Sequence, residues 1–243
     1  MTAPLHLLHG WGFDARVMQP LARTLERNYR VWTHDVPGIT ASWPAPMTLS
    51  ESVKCLAGVI EPGAVVAGWS LGGNVAVQLA HERPEYVAAL ILICCTPCFV
   101  VRSRWSCGLD PGTLTALRAR LQEDAIAGLS EFAGWCAMGE RAVKNTRRTL
   151  LDYTLSARTN PSSLACGLGL LQSLDQRELL ARLDCPVFML FAGDDRLVPA
   201  AAAGQCRPLS ADIQVRVIEG CGHALPVSLP GSVAEIVREV ACN

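Results

Sequence analysis

The stretch Gly68-Trp69-Ser70-Leu71-Gly72-Gly73 constrains this chain more than any other. It follows the apolar run Ala64-Val65-Val66-Ala67 and leads into Asn74–Ala80, a helix-like run. The pattern places a serine at a tight turn between a strand and a helix. Glycine at 68 and 72 removes the Cβ atoms that would hold the two elements apart, and Ser70 takes a strained backbone at the tip. Its hydroxyl then stands at a helix N-terminus, where developing negative charge is favoured. Gly-x-Ser-x-Gly arises by chance in roughly one chain in ten of this length. The strand–turn–helix setting therefore carries the weight, not the five letters.

Short apolar runs alternate with longer amphipathic ones elsewhere. Leu5–Leu8, Tyr29–His34, Val87–Cys95, Pro186–Phe191 and Ile213–Ile218 read as further strands. Val17–Leu25, Leu49–Ile60 and Val233–Ala241 read as helices, the second capped by Thr48 or Ser50. Near-continuous apolar strands separated by helices predict an α/β chain, with a mostly parallel sheet of about six strands buried on both faces. Residues 99–178 break the alternation. They hold no convincing strand and four helical stretches, Thr113–Leu121, Ala125–Cys136, Arg147–Ser156 and Leu164–Leu174. This segment reads as a helical cap inserted over the C-terminal edge of the sheet, where open α/β sheets bind ligands. The core is then residues 1–98 and 179–243. A separate helical domain is the alternative, and the lack of low-complexity linkers favours one unit.

Composition excludes several classes of function. The formal net charge is −1, which implies no general affinity for nucleic acid. No apolar run reaches the roughly 18–20 residues that span a bilayer. Met1-Thr2-Ala3-Pro4-Leu5-His6 lacks the basic and apolar regions of a signal peptide. A cytoplasmic monomer is expected. The chain has 11 cysteines, an odd number in apolar surroundings, which reads as reduced thiols. Cys95-Thr96-Pro97-Cys98 has C-x-x-C spacing, but no second pair or histidine cluster follows, so no metal is expected.

A serine hydroxyl is a weak nucleophile until a base takes its proton. Of the 5 histidines, only His223, in Gly220-Cys221-Gly222-His223, sits on a glycine-rich loop after the final strand. The base needs a carboxylate to fix its tautomer. Gly193-Asp194-Asp195-Arg196-Leu197-Val198-Pro199 follows the preceding strand; Asp195 is favoured and Asp194 stays open. Ser70, Asp195 and His223 then fall in the order Ser…Asp…His. A tetrahedral intermediate needs two donors for its oxyanion. The Leu71 amide follows the nucleophile, and the second donor is expected from His9-Gly10-Trp11-Gly12, at Trp11.

With these residues in place, the chain resembles the α/β-hydrolase superfamily, and within it the BioH-type pimeloyl-acyl-carrier-protein methyl ester esterases. The resemblance rests on the segments above and on Asp35-Val36-Pro37-Gly38, Thr96-Pro97-Cys98-Phe99, Met138-Gly139, Leu174-Asp175-Gln176-Arg177 and Gly222-His223-Ala224 with Ser228 beyond. It implies a serine carboxylesterase of biotin synthesis, with no cofactor, acting on a methyl ester held by an acyl carrier protein. It also implies a substrate strip at Phe132-Ala133-Gly134-Trp135-Cys136, with Trp11 and Trp69 beside it. Cap arginines of the family hold the carrier. Two such positions fall on Ala127 and Glu131 here, while Arg141, Lys144, Arg147 and Arg148 supply basic charge nearby. From Arg141 to Arg158 there are five basic residues and one acid, Asp152; a solvated helix face is the other reading. The family's N-terminal antiparallel strands are reduced or absent, and Ala192-Gly193 inverts the usual order before the acid, which keeps Asp194 in view. A broad short-chain carboxylesterase, an enol-lactone or carbon–carbon hydrolase, and a non-catalytic binding protein remain alternatives on the same fold.

Overall fold

The computed structural model describes residues 3–39, 46–157 and 160–241. Met1, Thr2, Arg158 and Cys242, which entered the sequence reading, lie outside them. The strands are β1 (Leu5–Leu8), β2 (Val31–His34), β3 (Ala64–Trp69), β4 (Val87–Ile93), β5 (Val187–Ala192) and β6 (Ile213–Ile218). They form one sheet in the order β2-β1-β3-β4-β5-β6, and every pairing is parallel. β1 and β3 are buried at every position, as strands covered on both faces must be. This is the doubly covered α/β sheet that the apolar runs imply. Among the described residues no antiparallel strand joins it.

The helices are α1 (Gln19–Leu25), α2 (Leu49–Ala57), α3 (Leu71–Glu82), α4 (Pro111–Glu123), α5 (Ala125–Ala137), α6 (Val143–Ser156), α7 (Pro161–Ser173), α8 (Arg177–Leu180), α9 (Ala202–Cys206), α10 (Leu225–Ser228) and α11 (Pro230–Ala241). α1 packs against α11, and α2 against α3. α4 to α7 fill the insertion between β4 and β5. Between Phe99 and α4 the backbone makes only isolated bridges, Val100 with Leu109 and Arg102 with Trp105. Thr48 caps α2 in full: its side chain accepts from the Glu51 amide, and the Glu51 carboxylate accepts from the Thr48 amide.

Element boundaries differ from the sequence reading for local reasons. The expected helix from Val17 splits into a 3₁₀ turn, Ala15–Met18, and α1, whose second residue is Pro20. β4 stops at Ile93 rather than Cys95, because Cys94 takes φ +45° and cannot continue a strand. α8, α9 and α10 are one to two turns long, too short to show a helical period.

The topology places the site. From β1 the chain steps outward to β2, then returns to the other side of β1 as β3. The loops leaving β1 and β3 therefore diverge at their C-terminal ends, which opens a crevice at that point. β5 and β6 end on the same edge because all six strands are parallel.

Candidate active site

Ser70 occupies the turn between β3 and α3 with φ 53° and ψ −124°, a backbone rarely taken by a residue with a Cβ. The surrounding structure imposes it. The Ser70 amide donates to the Ile93 carbonyl at 2.9 Å, and its own carbonyl accepts from Gly73 at 2.8 Å. A Cβ at Gly68 would lie 2.5 Å from the Gly72 carbonyl group, and one at Gly72 would lie 2.5 Å from the His9 carbonyl oxygen. Both positions admit only glycine.

The loop after β1 closes against this turn. A Cβ on Gly10 would come 3.2 Å from that of Ser70. His9 anchors the loop: its Nε2 accepts from the Val36 amide at 3.0 Å, so its proton is on Nδ1, which donates to the Gly10 carbonyl at 2.8 Å. Full burial lowers the His9 pKa and keeps the ring neutral in this role. Trp11 is buried, and its indole donates to the Leu164 carbonyl of α7 at 2.9 Å. A Cβ on Gly167 would lie 2.3 Å from the indole, so α7 is cut to fit it. The first amide of α3, at Leu71, directly follows Ser70, and helix N-terminal amides lack intrahelical partners.

His223 Nδ1 and Asp195 Oδ2 are 2.7 Å apart, and both side chains are buried. A carboxylate only accepts, so the imidazole proton sits on Nδ1 and Nε2 keeps a lone pair. Nε2 is buried without a hydrogen-bond partner among the described residues. Nucleophile–base contacts of this kind are commonly long before substrate binds. Asp195 is itself fixed by the amides of Leu197 and Val198, which donate to Oδ1 at 2.8 and 3.0 Å. Asp194 is exposed, and no hydrogen bond joins its side chain to His223 among the described residues. Geometry therefore favours Asp195, the aspartate that the sequence also favoured.

Trp69, expected beside substrate, is buried and serves His223: its indole donates to the His223 carbonyl at 2.8 Å, and the two rings lie 5.6 Å apart. The strip on α5 divides between two faces. Phe132 meets Trp11 edge-on at 4.6 Å, and Ala133 and Cys136 are buried on the same side. Gly134 faces α6, where a Cβ would lie 3.5 Å from Arg147 Nε; Trp135 is half-buried. Arg141, Lys144, Arg147 and Arg148 are all exposed, and none forms an ion pair among the described residues. Arg147 donates to Ser130 Oγ at 3.1 Å, and Arg141 to the Gly220 carbonyl at 3.3 Å.

Cys94, Asp195 and His223 place three ligand-type atoms within 4.8 Å of one another. The 2.7 Å Asp195–His223 bond occupies the space an ion would need. Burial pushes the Cys94 and Cys136 thiols well up, which keeps them as neutral S–H groups. Glu140, absent from the sequence reading, also reaches this cluster; its carboxylate accepts from the Ala224 amide at 3.1 Å. Nothing local in the sequence marks it.

Comparison with known proteins adds the lineage. The Alpha/beta hydrolase family matches residues 7–236. A pimeloyl-[acyl-carrier protein] methyl ester esterase of Aromatoleum aromaticum is 34% identical over 244 residues, covering 97% of this chain and 97% of that protein. The biotin biosynthesis bifunctional protein BioHC of Cellvibrio japonicus is 34% identical over 250 residues, covering 98% of this chain and 48% of that one. Among solved structures, an esterase from Exiguobacterium antarcticum superposes with a TM-score of 0.88 at 19% identity, covering 100% of this chain and 94% of that one. With a strained serine turn at the switch point and a buried His–Asp pair in one structure, and this family match over most of its length, the chain belongs to the alpha/beta hydrolase family.

Proposed function

We propose that this chain is a serine carboxylesterase that hydrolyses the methyl ester of pimeloyl-acyl-carrier protein, in biotin synthesis. The observation that carries the chemistry is the buried His223–Asp195 bond, held through Trp69 beside the strained Ser70 turn. The substrate comes from relatives whose names state it, at 31–35% identity over most of the chain.

Ser70 Oγ attacks the ester carbonyl carbon while His223 Nε2 takes the hydroxyl proton. The Trp11 and Leu71 amides hold the oxyanion, worth about 3–4 kcal/mol per donor in comparable sites. Collapse breaks the C–O bond to methoxide, which takes the proton from Nε2 and leaves as methanol. Water then attacks the acyl-enzyme with His223 again as base, releasing the free carboxylate and Ser70. Asp195 holds the ring in its Nδ1–H tautomer and stabilises the imidazolium. Residues 99–178 act as the cap. Phe132, Ala133 and Cys136, with Trp11, line the approach, while Gly134 lies on the other face of α5, toward α6. Arg141, Lys144, Arg147 and Arg148 present positive charge to an acidic carrier.

The test is turnover of the methyl ester on its carrier, by wild type and by Ser70→Ala. Wild type should release methanol and the variant none. Turnover surviving in Ser70→Ala sinks the mechanism. A preference for carrier-bound over free methyl ester should shrink as salt rises, because exposed charges are screened. Equal rates on both at low salt would sink the carrier.

A further inference from the structure

We propose that Glu140 is a positioning residue for His223: from the turn that closes α5, its buried carboxylate holds the backbone on which the catalytic imidazole is mounted. This rests on the roles given above to Ser70, His223 and Asp195.

Residues 138–141 form a clasp across both loops that deliver the acid and the base. Gly139, at φ +84°, packs so closely on the acid loop that a Cβ would lie 2.2 Å from the Asp194 carbonyl oxygen. Gly222, one residue before the histidine, packs on the Met138 carbonyl, where its own Cβ would lie 2.2 Å away. Arg141 reaches the Gly220 carbonyl at 3.3 Å. Between these contacts Glu140 turns inward, 6% exposed, and accepts from the Ala224 amide at 3.1 Å. The Ser228 hydroxyl donates to the Ala224 carbonyl at 3.1 Å, so the same residue is held at both its amide and its carbonyl. The residues on either side of His223 are thus both held by the insertion, Gly222 by packing on the Met138 carbonyl and Ala224 by the bond to Glu140.

The choice of glutamate here is costly. A buried carboxylate without a cation loses hydration that amides only partly replace. Glu140 has no ion-pair partner among the described residues. Burial accordingly raises its carboxyl above the ordinary carboxylate range, and the nearby Asp195 adds to the effect. The other titratable groups that feel its charge are the Cys94, Cys136 and Cys221 thiols, which burial keeps protonated. A packing role alone would be met by an apolar side chain. A negative charge beside the Asp195–His223 pair does more: it favours the imidazolium that forms as Ser70 attacks.

The experiment compares wild type, Ser70→Ala, Glu140→Gln and Glu140→Ala on a short p-nitrophenyl ester, across pH, with thermal unfolding alongside. Glu140→Gln keeps an acceptor for Ala224 and removes the charge. Its kcat should stay within about threefold of wild type, and the acid limb of kcat/KM should move to lower pH by a few tenths of a unit. Glu140→Ala should lower kcat by on the order of tenfold or more, with KM within about twofold, because a shift of the base by a fraction of an ångström disturbs attack geometry. Wild-type kcat and an unmoved acid limb in both variants overturn the proposal. So does a kcat loss in Glu140→Ala that tracks lowered stability while Glu140→Gln keeps its acid limb in place. Turnover surviving in Ser70→Ala would instead overturn the triad on which this rests.

Discussion

Asp195 divides its two oxygens between two tasks, and a single atom exchange separates them. Asp195→Asn keeps an oxygen for the Leu197 and Val198 amides but sets an NH₂ group against His223 Nδ1. The ring must then accept at Nδ1 and carry its proton on Nε2, where it cannot receive one from Ser70. We expect kcat on a p-nitrophenyl ester to fall about 10³–10⁴-fold, with little change in the unfolding midpoint. Asp194→Asn, on an exposed side chain, should leave kcat within about twofold. A larger loss at 194 than at 195 would reverse the assignment. These residues also show what sequence can and cannot convey at this scale. Ser70 and His223 each carry a local glycine signature, so they stand out in the bare chain. Asp195 is only favoured over its neighbour in the bare chain, by the Arg-Leu-Val-Pro run that follows it; burial and the bond to His223 separate the two in the structure. Glu140 meets Ala224 across 84 positions, and no nearby pattern records that contact.

Helix α7 shows how much an element's role depends on which face a residue occupies. Gly167 and Gly169 are two positions apart, yet a Cβ at 167 would lie 2.3 Å from the Trp11 indole, while one at 169 meets nothing within 4 Å. Gly169→Ala should therefore stabilise the protein by about 0.5–1 kcal/mol, because glycine is the poorer helix former. Gly167→Ala should destabilise by about 1–3 kcal/mol from overpacking. It should also lower kcat, since Trp11 and the loop that we propose holds the oxyanion must move. Urea unfolding of the two variants reads both signs, and equal effects would show that α7 does not grip Trp11. The strands and long helices were legible because burial on both faces writes long apolar runs, and because amphipathic periods repeat over several turns. α8 to α10 were not, since one or two turns cannot express a period. Nor could the left-handed backbone at Cys94, which ends β4, be read from an apolar run that continues through it.

At the scale of the whole molecule, the side of the sheet carrying β1 and β2 sets its tolerance of acid. His6 stacks on Trp32 and His34 with ring centroids 5.0 Å apart in each case, and its pKa is lowered to about 4, chiefly by burial, then by His34 and Arg30. Burial also lowers His9 and His34. Each of these groups binds protons more readily unfolded, with a pKa near 6.5, than folded. Stability should therefore be intact above about pH 6.5 and fall as pH drops from there toward 4. The urea midpoint should be lower at pH 5 than at pH 7.5, and His6→Gln should narrow the gap. A midpoint unchanged between the two would contradict this.

The hydrogen bond from Trp69 to the His223 carbonyl joins residues 154 positions apart. During synthesis the nucleophile thus leaves the ribosome long before its base exists. A partial chain that ends before β5 carries Ser70 without Asp195 or His223. Because parallel strands pair only after long intervening segments are made, the last two strands to dock are the ones that bring Asp195 and His223. On the proposed triad, ester cleavage is a property of the completed chain alone.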